Sequence, residues 1–550
     1  MRKVFVAFLF LIPAFAGAFE LRQPMDLPIE LAANCGELRP NHFHSGLDMK
    51  TNQQIGQPVY SVYDGYLARI NVSPVGYGNC LYVNHPEIGL TSVYAHLDSF
   101  EPAIDSILKA KQYELGEFAV DFNLDSLQVP LKKGERIATS GNSGSSGGPH
   151  LHFEIRDMVT EEVHDPQLYY HIEDNTRPRF HKIYIVPMPG EGVVAGSAEK
   201  KGYTVESLKS APVKAYGRIG IDVRANDYMS GNANIYGVHS LKVEVDGVTT
   251  FHYELEKFSF DSTRYINSFI DYALWYTKRE MTMKTYLPDN PCLQYIKEQK
   301  GSGYIIIDEN RDYKVKLTID DFSGNTNTLN FTIKGDSTVI PVISAYNGGE
   351  YFNWNIPNEL KKEHVYFYVP RGSLYNSIYF KYAEISDSTG YSNIHQMHYA
   401  TEPLQKFCTL VIDLTNDTLK NKSAYYLAQK DRNGNWSYMG GTYIDGAMEV
   451  RTRTLGDYKV LADTTAPAVT FLGKVGDVIK FRISDSQSGI GGWSAKIDGK
   501  SAIFAYDAKS KLIYYKFDPK RVEQGKSHNI ELSVSDKCGN TTVRKAKALW

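Results

Sequence analysis

The sequence predicts a mostly β protein of several domains, and three observations carry that prediction. Leu151, Phe153 and Ile155 alternate strictly with His150, His152 and Glu154, which is the period of a half-buried strand. Short apolar runs recur at 58–62, 66–70, 81–83 and 92–95, each bounded by Gly, Pro, Asn or Asp, the punctuation of strands and turns. No long stretch keeps a helical period, and 550 residues exceed what one hydrophobic core organises.

The chain opens with a targeting segment. Arg2 and Lys3 precede an apolar stretch over 4–15, and Ala16-Gly17-Ala18 offers small residues for cleavage, so residues 1–18 read as a secretory signal peptide. No later apolar run reaches the roughly 18 residues of a membrane span. The mature chain is therefore expected to be soluble, without a transmembrane segment, and secreted, periplasmic or cell-envelope associated. Cys35 sits well past the cleavage site, which argues against a lipid anchor. A formal charge of -3 without a Lys/Arg cluster excludes the polybasic surface that nucleic acid requires. Five cysteines (Cys35, Cys80, Cys292, Cys408, Cys538) are too few for a disulfide scaffold, and an odd count leaves at least one thiol over. Cys35 and Cys80 share one expected domain, but spacing does not decide whether they pair.

The strand at 150–155 sends His150 and His152 from one face. Residues two apart on a rigid strand hold parallel side chains, so one imidazole can bind a metal while its neighbour meets what the metal activates. Two solvated histidines are the competing reading, because His-x-His alone is a weak signal. Upstream the chain reads His42-Phe43-His44-Ser45-Gly46-Leu47-Asp48, then Gly56-Gln57-Pro58-Val59-Tyr60, Asp64-Gly65 and Tyr94-Ala95-His96-Leu97. Two imidazoles and one carboxylate suffice to hold a catalytic zinc ion with its fourth position open.

This order of motifs, His-x-x-x-Asp, Tyr-x-His-Leu and Gly-Pro-His-Leu-His-Phe, resembles the lysostaphin-type (LytM-type) zinc metalloendopeptidases that cleave peptidoglycan peptides. The resemblance covers residues 30–160. It implies an antiparallel β-sheet peptidase domain and one zinc per chain, held by His44, Asp48 and His152. It also implies catalytic roles for His96 and His150 and a peptidoglycan peptide as substrate. It does not divide proton transfer and oxyanion stabilisation between those two histidines.

Neighbouring residues keep alternatives open. Glu154 either orients His152 through a hydrogen bond or stands exposed at the strand end. Tyr94 lies either near the site or on the core face of its strand. His42 reads as a supporting or surface group and His85 as structural. Arg39, where the family often carries an arginine, is a candidate contact for a substrate carboxylate. Gly and Ser over 140–148 keep one cleft wall low, so that an extended peptide can approach the backbone.

Segment 101–129 departs from the family pattern. It is expected to form either an ordinary surface loop or a short helix or lid that restricts access. Beyond residue 172 an internal repeat takes over: Asp174-Asn175-Thr176-Arg177-Pro178, Asp336-Ser337-Thr338-Val339-Ile340-Pro341 and Asp463-Thr464-Thr465-Ala466-Pro467 each introduce a run of strands. The first and last repeats agree further, Asp227 with Ser230-Gly231 matching Asp485 with Ser488-Gly489, and Asp321-Phe322-Ser323-Gly324-Asn325 matching Asp536-Lys537-Cys538-Gly539-Asn540. Their turn-rich pattern resembles bacterial immunoglobulin-like β-sandwich domains.

The expected domains are a metallopeptidase domain over 19–172, immunoglobulin-like domains over 173–335 and 463–550, and a β-rich domain over 336–462. The many Tyr and Phe of 336–462 serve either a core or a glycan-binding face, so the C-terminal domains are candidates for a protein or glycan partner. Two other function classes stand beside the secreted zinc endopeptidase. One is a non-catalytic relative that binds peptidoglycan or activates another hydrolase, which the presence of all five site residues disfavours. The other makes the β-domains an adhesin or scaffold with the peptidase as an accessory.

Overall fold

The computed structural model describes residues 19–343 and 348–550, so the signal peptide expected at 1–18 lies outside the described residues. The N-terminal unit is built on an antiparallel sheet in the order Leu31–Ala33, Leu47–Lys50, His150–Asp157, Leu90–Leu97, Asn79–His85, Gly65–Val72 and Val120–Asn123. Strand alternation gives this sheet its two faces. Leu47, Met49, Leu151, Phe153, Ile155 and Tyr94 pack inward and are at most 2% exposed, each worth about 1.5–3 kcal/mol in apolar burial. Asp48, His150, His152 and Glu154 are left on the opposite face.

Segment 101–129 is part of this fold. Its helix, Pro102–Leu115, starts with proline at N1, where the missing N–H is not needed, and stops at Gly116 in the left-handed region with φ 73°. Ile104, Leu108 and Gln112, four residues apart, form the buried stripe. The chain then adds Val120–Asn123 to the sheet edge, antiparallel to Gly65–Val72 with Phe122 opposite Ile70. That edge lies three strands from the strand carrying His96.

The next unit forms one hydrogen-bonded sheet in the order Lys201–Tyr203, Arg179–Val194, Val213–Asn226, Thr326–Gly335, Asp312–Asp320, Ser240–Val245, Val248–Glu254 and Ile296–Gln299. Its core does not stop at the boundary expected near 172. One apolar cluster runs from Leu21 to Ile333. Phe43, 1% exposed, packs against Phe258, Phe269 and Tyr295 with ring centroids 5.7, 6.3 and 5.3 Å away. Val163–His164 pairs with Lys257–Phe258. The expected independence of the peptidase domain is therefore revised: it shares a core with the unit that follows.

The remaining two units are β-sandwiches. In the first, a sheet containing Val365–Val369, Cys408–Asp413 and Ala447–Thr452 faces one containing Ile394–Met397, Gly456–Ala462 and Tyr425–Lys430. Phe367, Phe380, Tyr425 and Tyr458 fill the space between them, so these aromatics serve the core. In the last, two four-stranded sheets enclose Phe481, Ile513, Leu532 and Val534. This unit folds back onto the first: Arg521 lies 3.3 Å over the Tyr113 ring and Trp493 sits 6.2 Å from Phe118. All five cysteines are free thiols, Cys35 and Cys80 included.

Candidate metal centre and active site

The strand register builds the centre. His152 lies directly opposite Asp48 on the neighbouring strand, so both side chains leave the same face. His44 reaches them from the turn before Asp48, and Gly46 makes that turn fit: a Cβ there would meet the Phe153 carbonyl oxygen at 2.2 Å. His44 Nε2, Asp48 Oδ1 and His152 Nδ1 converge with separations of 3.0, 3.1 and 2.8 Å. Donors bound tetrahedrally at zinc distances stand about 3.3 Å apart, so two nitrogens and one oxygen here fit such an ion closely.

Each of the four imidazoles is anchored through one nitrogen. His44 Nδ1–H donates to the Asn34 carbonyl at 2.7 Å and His152 Nε2–H to Glu154 Oε1 at 2.8 Å. His96 Nδ1–H donates to the Ser143 carbonyl and His150 Nδ1–H to the Gly148 carbonyl, both at 2.9 Å. These partners leave His44 Nε2 and His152 Nδ1 as the nitrogens facing Asp48, and the Nε2 atoms of His96 and His150 as lone-pair nitrogens. The His96 and His150 rings lie 4.8 Å apart, and His150 Nε2 is 3.5 Å from Asp48 Oδ1.

His96 reaches this face through an irregularity. Strict alternation would put it with Tyr94 on the core face. Instead its φ of 59° turns the side chain back toward His150, a backbone conformation that costs of order 1–3 kcal/mol outside glycine. Tyr94 is fully buried and packs on Phe153 with ring centroids 5.4 Å apart.

Glu154 has no exposed surface. Besides His152 it accepts from Ser45 Oγ at 2.6 Å and from Tyr77, and Arg156 Nε donates to its other oxygen at 2.7 Å. Against its burial, Arg156 and His152 hold this carboxyl well below the usual range. Arg156 is in turn covered by Phe260, 4.4 Å away, from the second unit. Arg39 Nη2 donates to Asp48 Oδ2 at 3.0 Å, which orients the other carboxylate oxygen toward the histidines. Burial, opposed by Asp48, pushes His44 down to about 4, and burial with its histidine neighbours pushes His96 down to about 3. His152 runs the other way: against burial, Asp48 and Glu154 raise it to about 9. A metal ion at this nitrogen would have to compete with a proton.

All five site residues expected from sequence, His44, Asp48, His96, His150 and His152, come together. His42 stays outside, with Nδ1 on the Pro40 carbonyl at 2.9 Å, and His85 is held between the Asp64 carbonyl and Ser92. Sequence reasoning missed Ser45, Tyr77 and Arg156, of which Arg156 alone had a signal, since it continues the alternation through Glu154. It also missed that the 140–148 loop supplies the carbonyls that anchor His96 and His150. Lys509 of the last unit grips that loop, donating to Asn142 Oδ1 and the Ser146 carbonyl, both at 3.2 Å.

The chain is similar to several known proteins over separate segments. A Zu5-like domain matches residues 349–463. The chain is 35% identical over 120 residues to an uncharacterised metalloprotease of Haemophilus influenzae, covering 22% of this chain and 19% of that protein. It is 33% identical over 112 residues to the peptidoglycan DD-endopeptidase ShyB of Vibrio cholerae, covering 20% of each. The catalytic domain of lysostaphin from Staphylococcus simulans is 21% identical, with 26% of this chain and 91% of that domain covered and a TM-score of 0.20. The chain spans about a fifth of the length of the curated relatives it matches. With the motifs in order and their side chains gathered on one sheet face, the N-terminal unit is similar to metallopeptidases of the lysostaphin type (LytM type).

Proposed function

We propose that this protein is a secreted, zinc-dependent endopeptidase that hydrolyses peptide crosslinks of peptidoglycan outside the cytoplasm. The observation that carries the reading is the anchoring of four imidazoles through their outer nitrogens, with Asp48 at the point where the inner ones meet. His44, Asp48 and His152 would hold one zinc per chain, and Glu154 and Arg39 keep two of these ligands in place. When bound, zinc acts as a Lewis acid that polarises a scissile carbonyl and acidifies water.

The remaining chemistry falls to the chain itself. His96 and His150 carry their protons on Nδ1, so each offers an Nε2 that accepts a proton and returns it to the leaving amine. Low basicity at His96 keeps that ring neutral at physiological pH. The curated relative ShyB is named a peptidoglycan DD-endopeptidase, and the low Gly/Ser wall over 140–148 suits an extended peptide. No helix among the described residues is long and apolar enough to cross a membrane.

Digestion of purified muropeptides, read by mass with and without a chelator, tests the reading. His152→Ala should lose zinc and cleavage together, whereas His150→Ala should keep zinc and lose cleavage. Equal zinc loss in both variants would overturn the assignment of ligand and base. Binding of muropeptides without cleavage by the zinc-loaded wild type would make the chain a non-catalytic relative.

A further inference from the structure

Three aspartates face one another where the first two units meet. Asp174, Asp227 and Asp321 are 8, 2 and 4% exposed, and each brings a carboxylate oxygen within 4.8 Å of the other two. They come from separate segments: Asp174 opens the first repeat, Asp227 follows the Val213–Asn226 strand and Asp321 follows the Asp312–Asp320 strand. Amides take up some of their oxygens. Thr176 and Ser230 N–H groups donate to Asp174 Oδ1 at 3.0 and 3.2 Å, and Asn325 donates to both Asp321 oxygens at 2.8 and 2.7 Å. Asp174 Oδ2 and Asp227 Oδ1 are buried and receive no hydrogen bond from any described residue.

A carboxylate taken out of water without a partner costs several kcal/mol, and like charges at this spacing repel. The cluster therefore calls for compensating positive charge that no side chain brings to the two free oxygens. We propose that Asp174, Asp227 and Asp321 bind one calcium ion at the junction of the peptidase unit and the unit that follows. Donors that are all oxygen, without imidazole or thiolate, select hard cations. Magnesium sheds its water reluctantly, whereas these carboxylates are already out of water, and this favours calcium.

The ion ties together a junction that bears on the active centre. Ser230, which donates to Asp174, begins a loop whose Asn232 and Tyr236 side chains donate to the Leu31 carbonyl at 2.8 and 2.7 Å and whose Asn234 donates to the Ala32 carbonyl at 3.0 Å. Leu31–Ala33 pairs with Leu47–Lys50, the strand of Asp48. The matching residues of the last repeat, Asp463, Asp485 and Asp536, also lie within 4.8 Å of one another. There, however, Ser488 donates twice to Asp463 Oδ2 and Asp485 is only partly buried, so the site is assigned to the first repeat alone.

The full mature chain, stripped of metals and reloaded with zinc, is titrated with calcium chloride by calorimetry and melted at rising calcium concentration. The expected result is one calcium per chain and a Tm that climbs with calcium, both lost in Asp227→Asn and both kept in Asp485→Asn. The His152→Ala variant should bind calcium as wild type does. Absence of calcium uptake by wild type at about 10 mM, well above the weakest extracellular sites, would overturn the proposal. So would an unchanged stoichiometry in Asp227→Asn, or loss of calcium in His152→Ala, which would put the ion among the histidines. If Asp227→Asn does not fold, the wild-type titration and the His152→Ala arm decide.

Discussion

Glu154 shows how one buried side chain can orient a site from the row behind the proposed ligands. It fixes His152 Nε2–H, and it keeps its charge because Arg156 pairs with it and Ser45 and Tyr77 donate to it. Partners of this kind typically contribute 10–100-fold to metal affinity. Glu154→Gln should therefore weaken zinc binding by about that factor, measured by competition with a chromophoric chelator, while the fold is kept. His85 makes a prediction about acid. It has no exposed surface, and burial pushes its pKa down to about 4 against the pull of the Asp64 carbonyl. Above pH ~6.5 both folded and unfolded chains are neutral there; below it the unfolded chain takes up a proton that the folded chain refuses until about pH 4. Stability should fall as pH drops through this window, by up to about 3 kcal/mol from this group. Urea denaturation at pH 7 and pH 4.5 should show a smaller loss in His85→Gln than in wild type.

Among the elements, the 101–129 segment changes meaning most between sequence and structure. Its helix rests on a stripe of Ile104, Leu108 and Gln112 and supports Tyr113 under Arg521, and its strand completes the sheet edge beside Gly65–Val72. That edge is separated from the His96 strand by two strands, Asn79–His85 and Gly65–Val72, which favours a structural role over a lid. Replacing it with a short Gly-Ser turn should lower Tm and leave cleavage by the surviving folded fraction unchanged. A rise in rate on soluble muropeptides at unchanged Tm would restore the lid. The 140–148 loop carries the complementary lesson. Read as a flexible wall, it turns out to hold the protons of His96 and His150 on Nδ1 through the Ser143 and Gly148 carbonyls.

At the scale of the molecule, the first two units share one core and the last unit returns to touch the first. Phe43 lies one residue from His44, and its aromatic neighbours all come from beyond residue 250. Its backbone N–H donates to Thr263 Oγ1 at 2.9 Å. Cutting the chain after residue 172 would expose this apolar face and uncover Arg156, so such a fragment should aggregate or melt far below the intact chain. A fragment ending at residue 335 keeps the shared core and should fold and bind zinc. Equal melting temperatures for the two fragments in differential scanning calorimetry would show that the second unit contributes nothing to the first.

The β class was legible in the sequence because it rests on local geometry, whereas the five proposed site residues were pointed to by the resemblance of their motif order to a known family. Alternation decides which side chains share a strand face, and it placed His150, His152 and Glu154 together; Gly, Pro and Asp mark turns wherever they stand. What the tertiary structure alone decided depends on contacts between distant segments. Alternation put His96 with Tyr94, and the left-handed backbone at His96 separated them. Nothing near Glu154 in the chain announces that Tyr77 and Ser45 bury it, and nothing near residue 172 announces that Phe43 finishes its packing on Phe258 and Tyr295. A period along the chain carries the direction of a side chain but not its partner, so the shared face of His150 and His152 was readable and the shell that orients them was not.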